Sequence, residues 1–251
     1  MRQIFFYLCL VGPATAGSAE IPTPPARPAG LDGPISSAPS SQLGYAPAPE
    51  NQGLRAVFPP QGSAPPARAD DAVCAALLDS GTIRASRIAP IFNDKGCGVA
   101  APVQVSAILL KDGSEAKLEP PAVMRCDMAA GLAEWVREDA AALAAQAGGR
   151  LVRVADAAAY DCRGRNRQAT AKLSEHAFGN AVDVRALVLG DGRELNPKTL
   201  VAAPALRDRM RAGVCARFAT VLGPGSDGYH EDHIHLDLAQ RRHGAKLCRW
   251  N

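Results

Sequence analysis

The sequence predicts a compact α+β domain with a mostly antiparallel sheet flanked by helices. Three observations carry this. Met128, Leu132, Trp135, Val136, Ala140 and Leu143 recur at helical spacing within 122–146, and Gly148-Gly149 stops the run. Short apolar or alternating runs at 103–110, 150–155, 181–189, 218–222 and 233–238 suit strands. These elements interleave without a regular βαβ rhythm, which disfavours a doubly wound parallel sheet.

Residues 1–19 have the pattern of a secretory signal. Arg2 supplies the positive start, IFFYLCLV at 4–11 the short apolar run, and Ala14-Thr15-Ala16 or Gly17-Ser18-Ala19 the small-residue cleavage site. The run is too short to span a bilayer, so no stable membrane span is expected after cleavage. Residues 20–70, with PTPPARPAG and APAPENQG, contain too little apolar bulk to offset the entropy of ordering. They read as a disordered Pro/Ala-rich linker, with the folded domain at 71–251.

Within that domain, 72–78 suits a short helix ending at Gly81, and Trp135 belongs to the core. Strand 103–110 turns at Lys111-Asp112-Gly113. Arg150–Ala155 alternates as a strand and leads into Tyr160-Asp161-Cys162-Arg163 and a basic loop. Strand 181–189 is closed by Gly190-Asp191-Gly192, a helix is expected over 200–212, and loop 223–228 separates the last two strands.

The net charge of +3 over 251 residues shows no concentrated excess that would call for nucleic acid, and aromatics make up only 5%. Removing the signal removes Cys9 and leaves Cys74, Cys97, Cys126, Cys162, Cys215 and Cys248. None forms a C-x-x-C pair, and an even count in an exported chain favours three disulfides. Closing the shortest loops in order predicts Cys74–Cys97, Cys126–Cys162 and Cys215–Cys248. Export and disulfides together point to a periplasmic or secreted protein of the bacterial envelope.

Of the five histidines, four lie in two short stretches: His176 in SEHAFGNAVD, and His230, His233 and His235 in YHEDHIHLD. The two stretches read as one site split across the chain. Zinc takes His nitrogen and Asp oxygen, and catalytic sites keep three protein ligands plus a water. His176 and Asp183 offer two ligands, with Gly179 allowing the bend between them, and the third should come from the last strand. His233 and His235 are two apart and share a strand face. One can bind metal while the other faces the water that the metal acidifies to a pKa of about 7. His230 can reach the same cleft. Asp232 and Asp237 are candidates for a base or for orienting an imidazole.

The motif S-x-H-x-x-G-x-A-x-D (Ser174, His176, Gly179, Ala181, Asp183) with H-x-H (His233, His235) resembles the LAS group of zinc peptidases. The longer H-x-x-H-x-H pattern from His230 looks most like the penicillin-insensitive murein endopeptidases. More broadly, YDCR, LSEHAFGNAVDV and VLGPGSDGYHEDHIHLDL resemble the bacterial extensin-like C-terminal family over the whole domain. The resemblance implies a LAS/hedgehog-like peptidase fold and Zn(2+) held by His176, Asp183 and His235. It implies His233 beside the water, Arg163 on a substrate carboxylate or carbonyl, and Ser174 in support. Asp232 stands where the carboxypeptidases carry Glu, which leaves the base open between Asp232 and His233. The expected function is amide hydrolysis in peptidoglycan peptides. Two other readings are a non-catalytic wall-binding protein and a hydrolase of another amide or ester.

Overall fold

The computed structural model describes residues 69–155 and 158–250. The predicted signal peptide and all but the last two residues of the predicted linker lie outside them. In chain order the elements are α1 (Ala69–Asp79), β1 (Ile83–Arg87), β2 (Ile91–Phe92), β3 (Gly98–Val99), β4 (Pro102–Leu109) and β5 (Glu115–Arg125). Then come α2 (Cys126–Trp135), α3 (Ala141–Gln146), β6 (Leu151–Ala155), β7 (Ala181–Val184), β8 (Ala186–Leu189) and β9 (Glu194–Leu195). The chain closes with α4 (Pro197–Leu200), α5 (Pro204–Arg217), β10 (Thr220–Leu222), β11 (Ile234–Asp237) and β12 (Leu247–Arg249). The architecture is α+β, as expected.

Two sheets dominate. One has six strands in the order β1-β4-β5-β6-β8-β9, and the other four in the order β12-β10-β11-β7. All pairings are antiparallel except β5 with β6 and β10 with β12. The apolar run expected as one strand over 181–189 is broken by Arg185, whose guanidinium pairs with Glu194 at 2.8 and 3.1 Å. The chain changes sheet there, so β7 and β8 lie in different sheets.

The long helix starts later than its periodicity suggests. Residues 122–125 finish β5, and α2 begins at Cys126 after the extended Arg125. Within β5 stand Pro120 and Pro121, which lack the N–H a regular ladder uses. They sit where the β4–β5 register breaks, between the Val105–Ala122 and Ala107–Lys117 pairs, so no regular ladder bond is lost. A wider helical turn, Val136–Ala140, joins α2 to α3. The predicted helix over 200–212 is divided because Pro204 lacks the N–H that continuation would need and instead opens α5. The short strands β1, β2, β3, β9 and β12 carry too few residues to show a periodicity of their own.

All six residues of the helical stripe are at most 1% exposed. Trp135 meets Phe218 edge-on, with ring centroids 6.4 Å apart, in the core between helices and strands. Among the described residues no helix is long and apolar enough to cross a membrane.

Six cysteines form three disulfides, but two predicted pairings are wrong. The bonds are Cys74–Cys126, Cys97–Cys162 and Cys215–Cys248. Loop-closure entropy grows only logarithmically with length, so the shorter loop has little advantage. Neighbouring elements decide instead. Cys74 on α1 faces the first turn of α2, and Cys97 in the turn between β2 and β3 faces Cys162 of the 158–163 loop with a Cα separation of 5.7 Å. The second bond fastens the β2–β3 hairpin beside Arg163.

Candidate metal centre

The first histidine is placed by a short turn. Residues Glu175–Phe178 form a 3-10 turn that ends at Gly179, whose φ is +61°. A Cβ there would also lie 2.9 Å from Val99 Cγ2 and 3.1 Å from the Arg125 nitrogen. This bend returns the chain into β7, so Asp183 comes back beside His176. Gly179→Ala should therefore destabilise the protein by roughly 1–3 kcal/mol from backbone strain alone. Metal affinity should fall with it, which denaturant titration and a metal-binding assay on the same sample would show.

β11 supplies the third group. It pairs antiparallel with β7 in a register that sets His235 directly opposite Asp183. Cross-strand partners on one face bring their side chains together. The result is a triangle: His176 Nε2 to Asp183 Oδ1 is 3.1 Å, His176 Nε2 to His235 Nδ1 is 3.1 Å, and His235 Nδ1 to Asp183 Oδ1 is 3.0 Å. His176 and His235 are buried. These three residues form a group able to hold a metal ion.

The surroundings fix which atoms face inward. His176 Nδ1 lies 2.6 Å from the Ala159 carbonyl, which can only accept, so Nδ1 carries the hydrogen and Nε2 presents a lone pair. His235 Nε2 lies 3.1 Å from Asp237 Oδ2 and donates to it. Asp237 is held in turn by the Ala239 amide at 3.0 Å. Asp183 Oδ1 is an acceptor. Three acceptor atoms thus converge, and a single proton cannot bridge all three edges, whereas one cation satisfies every one. A tetrahedral ion with bonds of about 2.0–2.1 Å would need edges of about 3.3 Å, a few tenths wider than the triangle. The residues present fit a divalent cation. Imidazole nitrogens favour zinc or ferrous iron over magnesium or calcium.

Burial favours the neutral form of Asp183, but hydrogen bonds from His176 and His235 outweigh it and hold the carboxyl well below the usual range. At His235, burial opposes charge. Its bonds to Asp183 and Asp237 prevail and push its pKa up to about 9 when no metal is bound. A raised pKa means the metal-free site holds that proton at neutral pH and loses it as pH rises through the folded value. Metal must expel it. Affinity should therefore rise about tenfold per pH unit up to that point and then level off. Calorimetry at pH 7 in buffers of different ionisation enthalpy should show about one proton released per ion, and no release would contradict this account.

The other predicted residues surround the triangle. Arg163 donates through Nε to Asp161 at 3.0 Å and through Nη2 to Asp183 Oδ2 at 3.3 Å. It neutralises the outer oxygen of Asp183, while Nη1 has no partner among the described residues. His233 precedes β11, with Nε2 4.0 Å from Asp183 Oδ2 and Nδ1 2.9 Å from Asp232. Asp232 is exposed and lies on the far side of that ring from the triangle. His230 is buried and bonded through Nδ1 to Asp227 at 2.7 Å. Burial lowers its pKa, which Asp227 only partly opposes. Its ring centroid is 5.1 Å from His233 and 5.8 Å from His235. Ser174 is buried, and its amide donates to the Arg163 carbonyl at 3.0 Å.

A pocket of about 180 Å³ opens beside this cluster, lined among others by Arg163, Ser174, His230, His235 and Asp237. Asp161, the Ala159 carbonyl, Asp227 and the positioning role of Asp237 complete the site. Asp237 was already a candidate for orienting an imidazole, and two others had a trace in the sequence: Asp161 stands two before Arg163, and Asp227 three before His230.

A family model described as extensin-like protein C-terminus matches residues 72–249, the span that contains every residue of this site. The chain belongs to the extensin-like protein C-terminus family. No curated protein matches the chain, and no solved structure does either. In this family member the motif residues His176, Asp183 and His235 meet in one cluster although up to 59 positions separate them.

Proposed function

We propose that the protein is an exported zinc-dependent peptidase acting on the peptide amides of peptidoglycan. One observation carries the reading: three inward-facing acceptor atoms stand beside a histidine whose far nitrogen is held by a carboxylate. Zinc would supply Lewis-acid chemistry, polarising a carbonyl and acidifying a water. His233 is the general base. Asp232 takes its Nδ1 hydrogen, which leaves Nε2 free on the triangle's side to accept the proton of the attacking water and pass it to the leaving amine. Water adds to the carbonyl carbon, the C–N bond breaks, and an amine and a carboxylate are released. This assigns Asp232 to orienting the base. Arg163 donates to the outer oxygen of Asp183 and also lines the pocket, where it can meet a substrate carboxylate or carbonyl.

The same donor set carries ferrous iron in oxygenases. The Asp232–His233 pair is what hydrolysis requires, and it favours zinc. Three disulfides fit an oxidising compartment, and the motif resemblance to LAS peptidases and murein endopeptidases supplies the wall substrate. The test is incubation of the zinc-loaded chain with purified peptidoglycan and mass analysis of released fragments. New amine and carboxylate ends that vanish with chelator are expected. Binding to the polymer without cleavage would instead identify a wall-binding protein that keeps the site.

A further inference from the structure

The chain's net charge is only +3, yet its C-terminal third carries a concentrated cationic face. Residues 209–217 and 241–249 contain seven Lys or Arg and no Asp or Glu. The fold puts these two segments side by side. Cys215 on α5 is bonded to Cys248 on β12, with Cα atoms 5.7 Å apart. β12 runs parallel to β10, and the Lys246 ammonium donates to the Ala216 carbonyl at the end of α5. Arg211 lies one helical turn before Cys215, on the stripe of α5 that meets the 241–249 segment, whereas Arg209, two positions earlier, lies on the opposite flank of the helix.

Three of the seven are bonded within the fold. Arg217 pairs with Glu134 and Asp139, and Arg241 is half-buried and donates to Thr220 and to the Ala219 carbonyl at 2.9 Å. Lys246 donates one N–H to the Ala216 carbonyl, while its charge stays exposed and without a carboxylate among the described residues. Arg209, Arg211, Arg242, Lys246 and Arg249 are exposed and have no carboxylate partner among the described residues. The one acid within α5 itself, Asp208, is taken by Arg207 at 3.3 Å. The face also reaches the site, because Arg241 and Leu247 form a wall of the pocket that holds His230 and His235.

We propose that Arg211, Arg242, Lys246 and Arg249 form a docking surface for a carboxylate-bearing polymer, the free carboxylates of the wall's stem peptides, and guide it into the pocket. This rests on the substrate class assigned above. Several unpaired cations on one face bind a repeating anion through summed, salt-screened attraction, while a compact small substrate gains little from them.

The test compares cosedimentation of the full zinc-loaded chain with insoluble peptidoglycan before and after chemical amidation of its carboxylates. Wild type should bind the native polymer, and amidation or high salt should release it. R211E and R242E/R249E should each lose about tenfold in affinity for the polymer. Both should cleave a small soluble stem peptide at the wild-type rate, which also shows that they fold. R87E/R150E, the same charge change on other parts of the surface, should bind as wild type. Wild-type binding by the α5 and C-terminal variants, or unchanged binding after amidation, would overturn the proposal. H176A separates the two readings: it should bind the polymer but not cleave it. Binding that depends on this face in a chain with no hydrolytic activity would refute the peptidase reading and leave the docking surface standing.

Discussion

Replacing His233 with Ala should lower peptide hydrolysis by about 10²–10⁴-fold while leaving metal content unchanged. His233 stands outside the triangle, with its nearest ring nitrogen 4.0 Å from Asp183 Oδ2, so it is not needed to hold the ion. Its Nδ1 is engaged by Asp232, which sets the other nitrogen as acceptor. Asp232→Asn should act through the ring and cost less, about tenfold, with the alkaline side of the pH–rate profile preserved. A rate profile that loses its acidic limb in His233→Ala, but only shifts in Asp232→Asn, would assign the base to the imidazole. The reverse pattern would assign it to the carboxylate.

The second large effect is on the metal itself. Asp183→Asn should weaken metal binding by more than about a hundredfold, beyond what loss of a supporting partner alone produces. Asp183 is the one anion in the triangle, and its Oδ1 lies within hydrogen-bonding distance of both imidazoles. Amidation removes that charge and leaves the Arg163 guanidinium without its partner at Oδ2, half of its pairing with carboxylates. The half-buried Arg163 then faces the ion with nothing between them to compensate. Asp237→Asn should be milder, because it changes how His235 is oriented and not whether its Nδ1 is there. Competition titration with a fluorescent chelator would rank the two variants.

The site was legible in the sequence because its residues are of a rare type and closely spaced. Four of five histidines in two stretches, each with an aspartate at short offset, form a pattern that survives without any knowledge of the fold. Which atoms face inward was not legible. That depends on the Ala159 carbonyl and on Asp237, partners fixed by the β7–β11 register and by the 158–163 loop. Arg163 was expected on substrate from the resemblance alone, and its pairing with Asp161 and Asp183 appears only once β7 is brought alongside. In the fold, Trp135 and its helical stripe were readable from periodicity. β5 was hidden by two prolines that a register break accommodates, and α5 by a proline whose meaning at a helix start depends on where the helix begins. Two of the three cysteine pairings failed because loop length carries little energy compared with the packing of α1 on α2 and of the β2–β3 hairpin on the loop at Cys162, while Cys215–Cys248 was paired as expected.

The most direct measurement is metal content of the full chain purified from an oxidising compartment, made beside His176→Ala. His176 supplies the most buried corner of the triangle. About one zinc per wild-type chain, absent from a His176→Ala variant that folds equally well, is the predicted result. A folded wild type that takes up no metal after reconstitution, or that retains iron in place of zinc, would contradict it.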